Sequence, residues 1–221
     1  MGMKKRGEPL PREFYMSRAH LAAPKLLGKL LVHNTPQGMT AGRIVEVEAY
    51  EGPEDLGAHS RGGIRSERTK IQYGPGGYAY MFRIYGMHTC FNVVIGEREK
   101  PHAILVRALA PEAGLELMKK RRNTQDPVSL CNGPGKLCQA MGLTMEQYGW
   151  DLCGERLYIA FWDEIEPEQI MVSPRINIDY AGAYKDILWR YYLKEEPCVS
   201  KVASGYRKKS RPMIWQSRQE P

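Results

Sequence analysis

Residues 30–50 read LLVHNTPQGMTAGRIVEVEAY, and the fold turns on how this stretch is divided. Leu30 to His33 is apolar and extended in character. Thr35-Pro36-Gln37-Gly38 has proline and glycine at the positions a tight turn requires, and Gly42 to Tyr50 then alternates as a returning strand. The stretch predicts a β-hairpin with its longer arm carrying RIVEVEAY. Along that arm Val45, Val47 and Ala49 point to one face, whereas Ile44, Glu46, Glu48 and Tyr50 point to the other. The first face reads as core. On the second, the Cα atoms of Glu46 and Glu48 stand roughly 6.7 Å apart at a rise of ~3.3 Å per residue. Two carboxylates at that spacing suit acid/base hydrolysis at a sugar carbon, but a solvated face paired with arginines accounts for the same pattern.

Working outward, Ser17 reads as the cap of a helix reaching Leu27, with Pro24 inside it as a kink or break. Residues 52–77 are rich in glycine, proline and charge without a sustained period, and a loop of that length in a compact domain commonly binds something. His59 lies here, nine residues beyond Tyr50 and past the Gly52-Pro53 turn, so it can fold back over the glutamate face. Strand-like runs follow at Tyr78–Tyr85, Thr89–Ile95 and Ala103–Leu109. Pro111 reads as the first turn of a helix to about Arg122, and Gly133-Pro134-Gly135-Lys136 opens another that ends before Gly142. Further strands are expected at Leu157–Trp162, Ile170–Ser173 and Leu188–Leu193. Hairpin-joined strands with a few helices predict a single α+β domain on a curved, mainly antiparallel sheet with flanking helices.

The chain has 221 residues and a formal net charge of +7. Most of that charge is terminal. Residues 1–12 carry Lys4, Lys5, Arg6 and Arg12 against Glu8, and residues 201–221 carry six basic residues against Glu220, so both ends read as basic tails around a domain spanning 13–200. Within the domain, residues 57–107 hold eight basic residues against three acidic ones, which points to a polyanionic partner near the loop histidine. Five cysteines at irregular spacing, with no C-x-x-C pair, fit reduced thiols rather than a disulfide framework or a zinc site. No run approaches the ~18 apolar residues of a membrane span. The expectation is a protein without a membrane partner, metal or organic cofactor.

Aromatic residues form a second concentration, YAYMFRIYGM over residues 78–87. Tyr78, Tyr80 and Phe82 share one strand face, as either core or binding platform. Tyr85 stands beside Gly86 at a turn, where a side chain is held outward and can stack on bases or fill a gap in a duplex. Asn92 and Arg107 fall within apolar strands, where a polar group needs a partner or a site. Gly133–Lys136 offers helix N-terminal amides and a lysine to a phosphate, but it is not a P-loop because G-x-x-x-x-G-K-[ST] is not met.

Taken in order, EVEAYEGPEDLGAHSRGG, YMFRIYGMHTCFN, LVRAL and NGPGKLCQAMG resemble the alkyladenine (3-methyladenine) DNA glycosylase family, the base-excision repair enzymes of the mammalian type. The likeness runs from about Phe14 to Lys201. It implies a monomeric, monofunctional glycosylase that flips an alkylated or deaminated purine from duplex DNA and cleaves its N-glycosidic bond with water. By motif, Glu48 is the general base, with Glu46 supporting it, and Arg107 holds the water or a phosphate. Tyr50 and His59 stack on the flipped base from one side and Phe82 closes the other. Asn92 excludes the exocyclic amine of guanine, and Tyr85 fills the vacated position in the helix. Arg61, Arg65 and Lys136 are expected at the DNA backbone. The chain departs from the family pattern at Phe82 and His88, where tyrosine is frequent, and at Asn177, where glycine is usual. The family reading places the protein in the cytoplasm of a bacterium or the nucleus of a eukaryote. Two competing readings are a non-catalytic nucleic-acid-binding module and a glycoside hydrolase with Glu46 and Glu48 as its dyad.

Overall fold

A computed structural model of the chain describes residues 5–202 and 209–214. Its centre is an open antiparallel sheet of nine strands: β1 (Leu30–Thr35), β2 (Gly38–Glu51), β3 (Ala79–Ile84), β4 (His88–Ile95), β5 (His102–Ala113), β6 (Leu157–Ala160), β7 (Ile170–Ser173), β8 (Arg190–Leu193) and β9 (Arg211–Pro212). The main path runs β3-β4-β5-β2-β8-β7-β9. The expected hairpin is β1 and β2, paired from Leu30 opposite Arg43 to Thr35 opposite Gly38. β2 is long enough to serve two neighbours on one edge, β1 along its first half and β8 at residues 46–48, while β5 pairs along the other edge.

Three helices, α1 (Ala19–Leu26), α2 (Leu115–Arg122) and α3 (Pro134–Met141), flank the sheet. They cover a core in which Leu26, Leu27, Val47, Met81, Phe91, Val106 and Leu137 are buried together. On the opposite face of the sheet a smaller cluster gathers Tyr80, Phe82, Cys90, Val94, Ala103 and Leu105. Tyr80 and Phe82 therefore leave the main core, whereas Ala79 and Met81, at the alternate positions, enter it.

Several local expectations are corrected. α1 is capped at Arg18 rather than Ser17, and its Pro24 neither ends nor divides it. The α1 N-terminus is instead satisfied from the sheet: the His20 backbone N–H donates to Glu51 Oε1 at 3.0 Å. Pro111 belongs to β5, opposite Gly42, beside a register shift that tolerates a residue with no N–H to donate. α2 begins only after Gly114, in the left-handed conformation at φ 73°. Ile44 does not share the glutamate face, because the β2–β5 register slips between Ile44 and Glu46 and sends both Ile44 and Val45 into the core.

Of the expected tails, Lys4, Arg207, Lys208 and Arg218 lie outside the described residues. The described parts pack on the domain: the Gly7 N–H donates to the Phe161 carbonyl at 2.7 Å, Leu10 is buried, and β9 pairs with β7. All five cysteines are free thiols. Among the described residues no helix is long and apolar enough to cross a membrane.

Candidate active site

The antiparallel register sets a straight row of residues across five strands: Tyr80 opposite Asn92, Asn92 opposite Leu105, Leu105 opposite Glu48, and Glu48 opposite Arg190. Their side chains share the sheet face away from the helices. Arg107 joins them through a bulge. β5 and β2 pair Ala108 with Glu46 but Val106 with Val47, leaving Arg107 as the extra residue, and a bulge of this kind re-aims a side chain. It delivers the guanidinium between the two glutamates.

Both glutamates are fully buried, so the solvated-face reading fails although its arginine partners are present. Glu46 Oε1 accepts from Arg107 Nε at 2.9 Å, Arg190 Nε at 2.7 Å and Ser200 Oγ at 2.9 Å, and Oε2 accepts from the Ser200 N–H at 2.8 Å. Burial alone would push this carboxyl up, but the two guanidinium charges and the Ser200 donors hold it below the usual range. Arg107 is raised above its ordinary value because the charges of Glu48 and Glu46 outweigh its desolvation. A group so thoroughly engaged is a poor proton shuttle, which removes Glu46 as half of a hydrolytic dyad.

Glu48 is bonded differently. Oε2 accepts from the Tyr50 hydroxyl at 2.8 Å and Arg107 Nη1 at 3.2 Å, whereas Oε1 accepts, among the described residues, only from the Ile176 N–H at 2.7 Å. A carboxylate oxygen offers two acceptor positions, so Oε1 keeps one. Ile176 is held by its neighbours: Arg175, itself buried, forms a bidentate pair with Asp55, and Arg175 Nη1 also donates to the Ala49 carbonyl at 2.9 Å. The Arg175 guanidinium lies 4.6 Å from the Tyr50 ring centre and 5.1 Å from that of Trp189, backing Tyr50 with a fixed plate. Asn177 sits in the left-handed region at φ 58°, which asparagine tolerates better than most residues, so the departure from glycine keeps the backbone path.

In front of this wall lies a cavity of about 680 Å³ lined by Tyr50, His59, Phe82, Asn92 and Arg107, with Tyr85 and Lys136 at other points of its lining. The loop after β2 returns His59 to the sheet by a close approach at Gly52, where a Cβ would lie 2.0 Å from Ser60 Oγ. His59 Nδ1 is 2.7 Å from the Tyr80 hydroxyl, and its ring meets Phe82 edge-on at 4.6 Å. His59 therefore rests on Phe82 itself, and no base-wide gap separates the two rings. Burial, then the charges of Arg68 and Arg61, lower the imidazole to about 4, so it is neutral at physiological pH. Asn92 is buried and donates Nδ2–H to the Tyr80 carbonyl at 3.1 Å. Tyr85, 83% exposed at the β3–β4 turn, carries φ 52° beside Gly86 at φ 71°.

The three cations expected at a backbone are dispersed. Lys136 lines the cavity and donates to Asn132 Oδ1 at 2.8 Å. Arg61 and Arg65 lie outside the cavity lining, and Arg65 is paired with Glu99 over the Tyr73 ring. The sequence reading missed Arg68, Arg122, Arg175 and Arg190; for Arg190 the signal was a charge inside the apolar run ILWRYYL, which in a strand demands a buried partner. Among the described residues no group of three or more histidine, cysteine or acidic side chains is arranged to hold a metal.

A family model described as methylpurine-DNA glycosylase matches residues 13–197. The chain belongs to the methylpurine-DNA glycosylase family. It is 45% identical over 199 residues to a protein of Desulfitobacterium hafniense named "Putative 3-methyladenine DNA glycosylase", covering 86% of this chain and 98% of that one. Relatives with the same name in Bacillus licheniformis (46% over 194 residues; 88% and 97% covered) and Clostridium acetobutylicum (45% over 199; 86% and 97%) are similarly close. The matched span of the glycosylase family includes every residue of the cavity wall described above.

Proposed function

We propose that this glycosylase family member is a monofunctional, monomeric DNA N-glycosylase that removes alkylated or deaminated purines from duplex DNA by hydrolysis. The observation that carries the reading is Glu48: a fully buried carboxylate behind an aromatic cavity, oriented by three donors, Tyr50, Arg107 and Ile176, that all line that cavity, with one acceptor position left on Oε1 among the described residues. A water hydrogen-bonded to that position gives up a proton to Glu48 as its oxygen attacks C1′. The new O–C1′ bond forms while the C1′–N bond breaks and its electron pair leaves with the purine. A purine carrying a methyl group on a ring nitrogen leaves as a neutral base. A neutral purine such as hypoxanthine must take up a proton as it departs. The charge of Glu48 also opposes the positive charge that develops on the sugar.

Arg107 is the orienting residue in this scheme, anchored through Glu46. Tyr50 serves twice, its hydroxyl on Glu48 and its ring as a wall of the base slot. His59 and Phe82 form the opposing wall, Asn92 rejects the exocyclic amine of guanine, and Tyr85 enters the duplex as the base leaves. Extraction costs least for damaged or mismatched pairs, which supplies part of the selectivity. All three relatives named above come from bacteria, which supports a cytoplasmic location.

The test is incubation with a duplex bearing a single N3-methyladenine. Free 3-methyladenine with a matching abasic site is the expected result. Tight binding with no base released would replace this reading with a non-catalytic nucleic-acid-binding module.

A further inference from the structure

Arg68 sits on the loop before β3, exposed overall but part of the cavity lining. Its carbon Cζ lies 5.0 Å from the centre of the Phe82 ring. Nε donates to the Tyr80 hydroxyl at 3.3 Å, and Nη2 contacts the His59 imidazole. Among the described ion pairs none gives Arg68 a carboxylate, so its charge is not cancelled locally, unlike that of Arg175 beside Asp55.

A cationic purine gains from an aromatic wall because the ring face carries negative quadrupole charge. Here Arg68 already lies over Phe82, and Arg175 already backs Tyr50. Both walls of the slot therefore have an internal cation, and the one on Phe82 is unneutralised. His59 adds none, being neutral, and Arg68 helps keep it so. The departure from tyrosine at position 82 leaves no hydroxyl there to compete for the guanidinium.

Resting on the glycosylase reading above, we infer that Arg68 is a specificity-determining residue: its guanidinium over Phe82 penalises cationic purine lesions and so shifts the enzyme toward neutral ones. A neutral base such as hypoxanthine stacks against the occupied wall without charge repulsion. An N3-methyladenine brings a second positive charge to a wall that already has one.

The experiment compares wild type, Arg68→Gln and Arg68→Lys in single-turnover release, at subsaturating enzyme, from two otherwise identical duplexes containing hypoxanthine or N3-methyladenine, neither of which carries the guanine amine that Asn92 rejects. Arg68→Gln is expected to raise the N3-methyladenine to hypoxanthine ratio at least tenfold, and Arg68→Lys to keep it within threefold of wild type. The His59 imidazole, followed by NMR in the free protein, is expected to titrate at higher pH in Arg68→Gln, since a positive neighbour has gone. That shift shows that the variant is folded and that the charge reached the slot. Both bases released with an unchanged ratio would overturn the inference alone. Release of neither base by wild type would overturn the glycosylase reading, and this inference with it.

Discussion

Replacing Glu46 with glutamine tests whether the buried charge cluster is built as described. Glu46 is fully buried between Arg107 and Arg190, with both Ser200 donors on its oxygens. In Glu46→Gln the side-chain carbonyl can still accept from the arginines, but the new NH₂ confronts the Ser200 N–H, and the second guanidinium loses its counter-charge. Removing one partner of a buried pair costs about 3–5 kcal/mol, because the remaining charge stays desolvated. That is a large share of the ~5–15 kcal/mol by which domains are stable. With urea slopes of about 1–3 kcal/mol/M, the midpoint at pH 7 should fall by at least about 1 M. Acid should narrow the difference. The folded carboxyl lies below the usual range, so its contribution is complete above the unfolded value near 4.5 and fades as pH falls through the folded one. Because Arg107 keeps only a neutral acceptor at position 46, it is held less firmly and base release should slow as well. Urea unfolding at pH 7 with midpoints within about 0.2 M of each other would refute the buried-pair argument.

Other outcomes are expected from the same geometry. Glu51 accepts from Arg18, the His20 ring and the His20 N–H, and despite its burial these donors hold its carboxyl at about 2, from a usual 4.5. Glu51→Gln should therefore cost about 3 kcal/mol at pH 6, a loss that disappears as the pH of the unfolding series falls from 4.5 toward 2. Tyr85→Ser, at an 83% exposed position, should leave thermal stability within about 0.5 kcal/mol of wild type while weakening lesion-duplex affinity. A fluorescent base analogue beside the lesion should then report a shift toward the stacked state. Gly52→Ala should destabilise by about 1–3 kcal/mol in urea unfolding, since its Cβ would press on Ser60 Oγ and the Pro101 carbonyl in the loop that returns His59.

The sequence made the β1–β2 hairpin legible because its period and its turn agree, and α3 legible because Pro134 and Gly142 mark its two ends. Asn92 and Glu48 fall in one row because strand alternation extends across antiparallel partners, whereas His59 and Tyr85 reach the cavity from a loop and a turn. What escaped reading has physical causes. Period 2 does not reveal a bulge, so it puts Ile44 on the wrong face and hides the re-aiming of Arg107. A proline near a helix start looks the same as one at a strand bulge, which misplaced Pro111. The solvated-face reading of Glu46 and Glu48 failed because the residues that cover them, Arg190, Arg175 to Ile176, and Ser200, arrive from more than 120 positions away. Local pattern has no access to such partners. Arg68 reads in the sequence only as charge, since nothing in a loop sequence fixes where a long side chain ends.

The proposed role of Glu48 as the group that activates water is tested most directly by Glu48→Gln. The variant is to be measured for lesion-duplex binding and for single-turnover base release from the same duplex. Binding close to wild type with release at least ~100-fold slower is the predicted result. Release at the wild-type rate would contradict it.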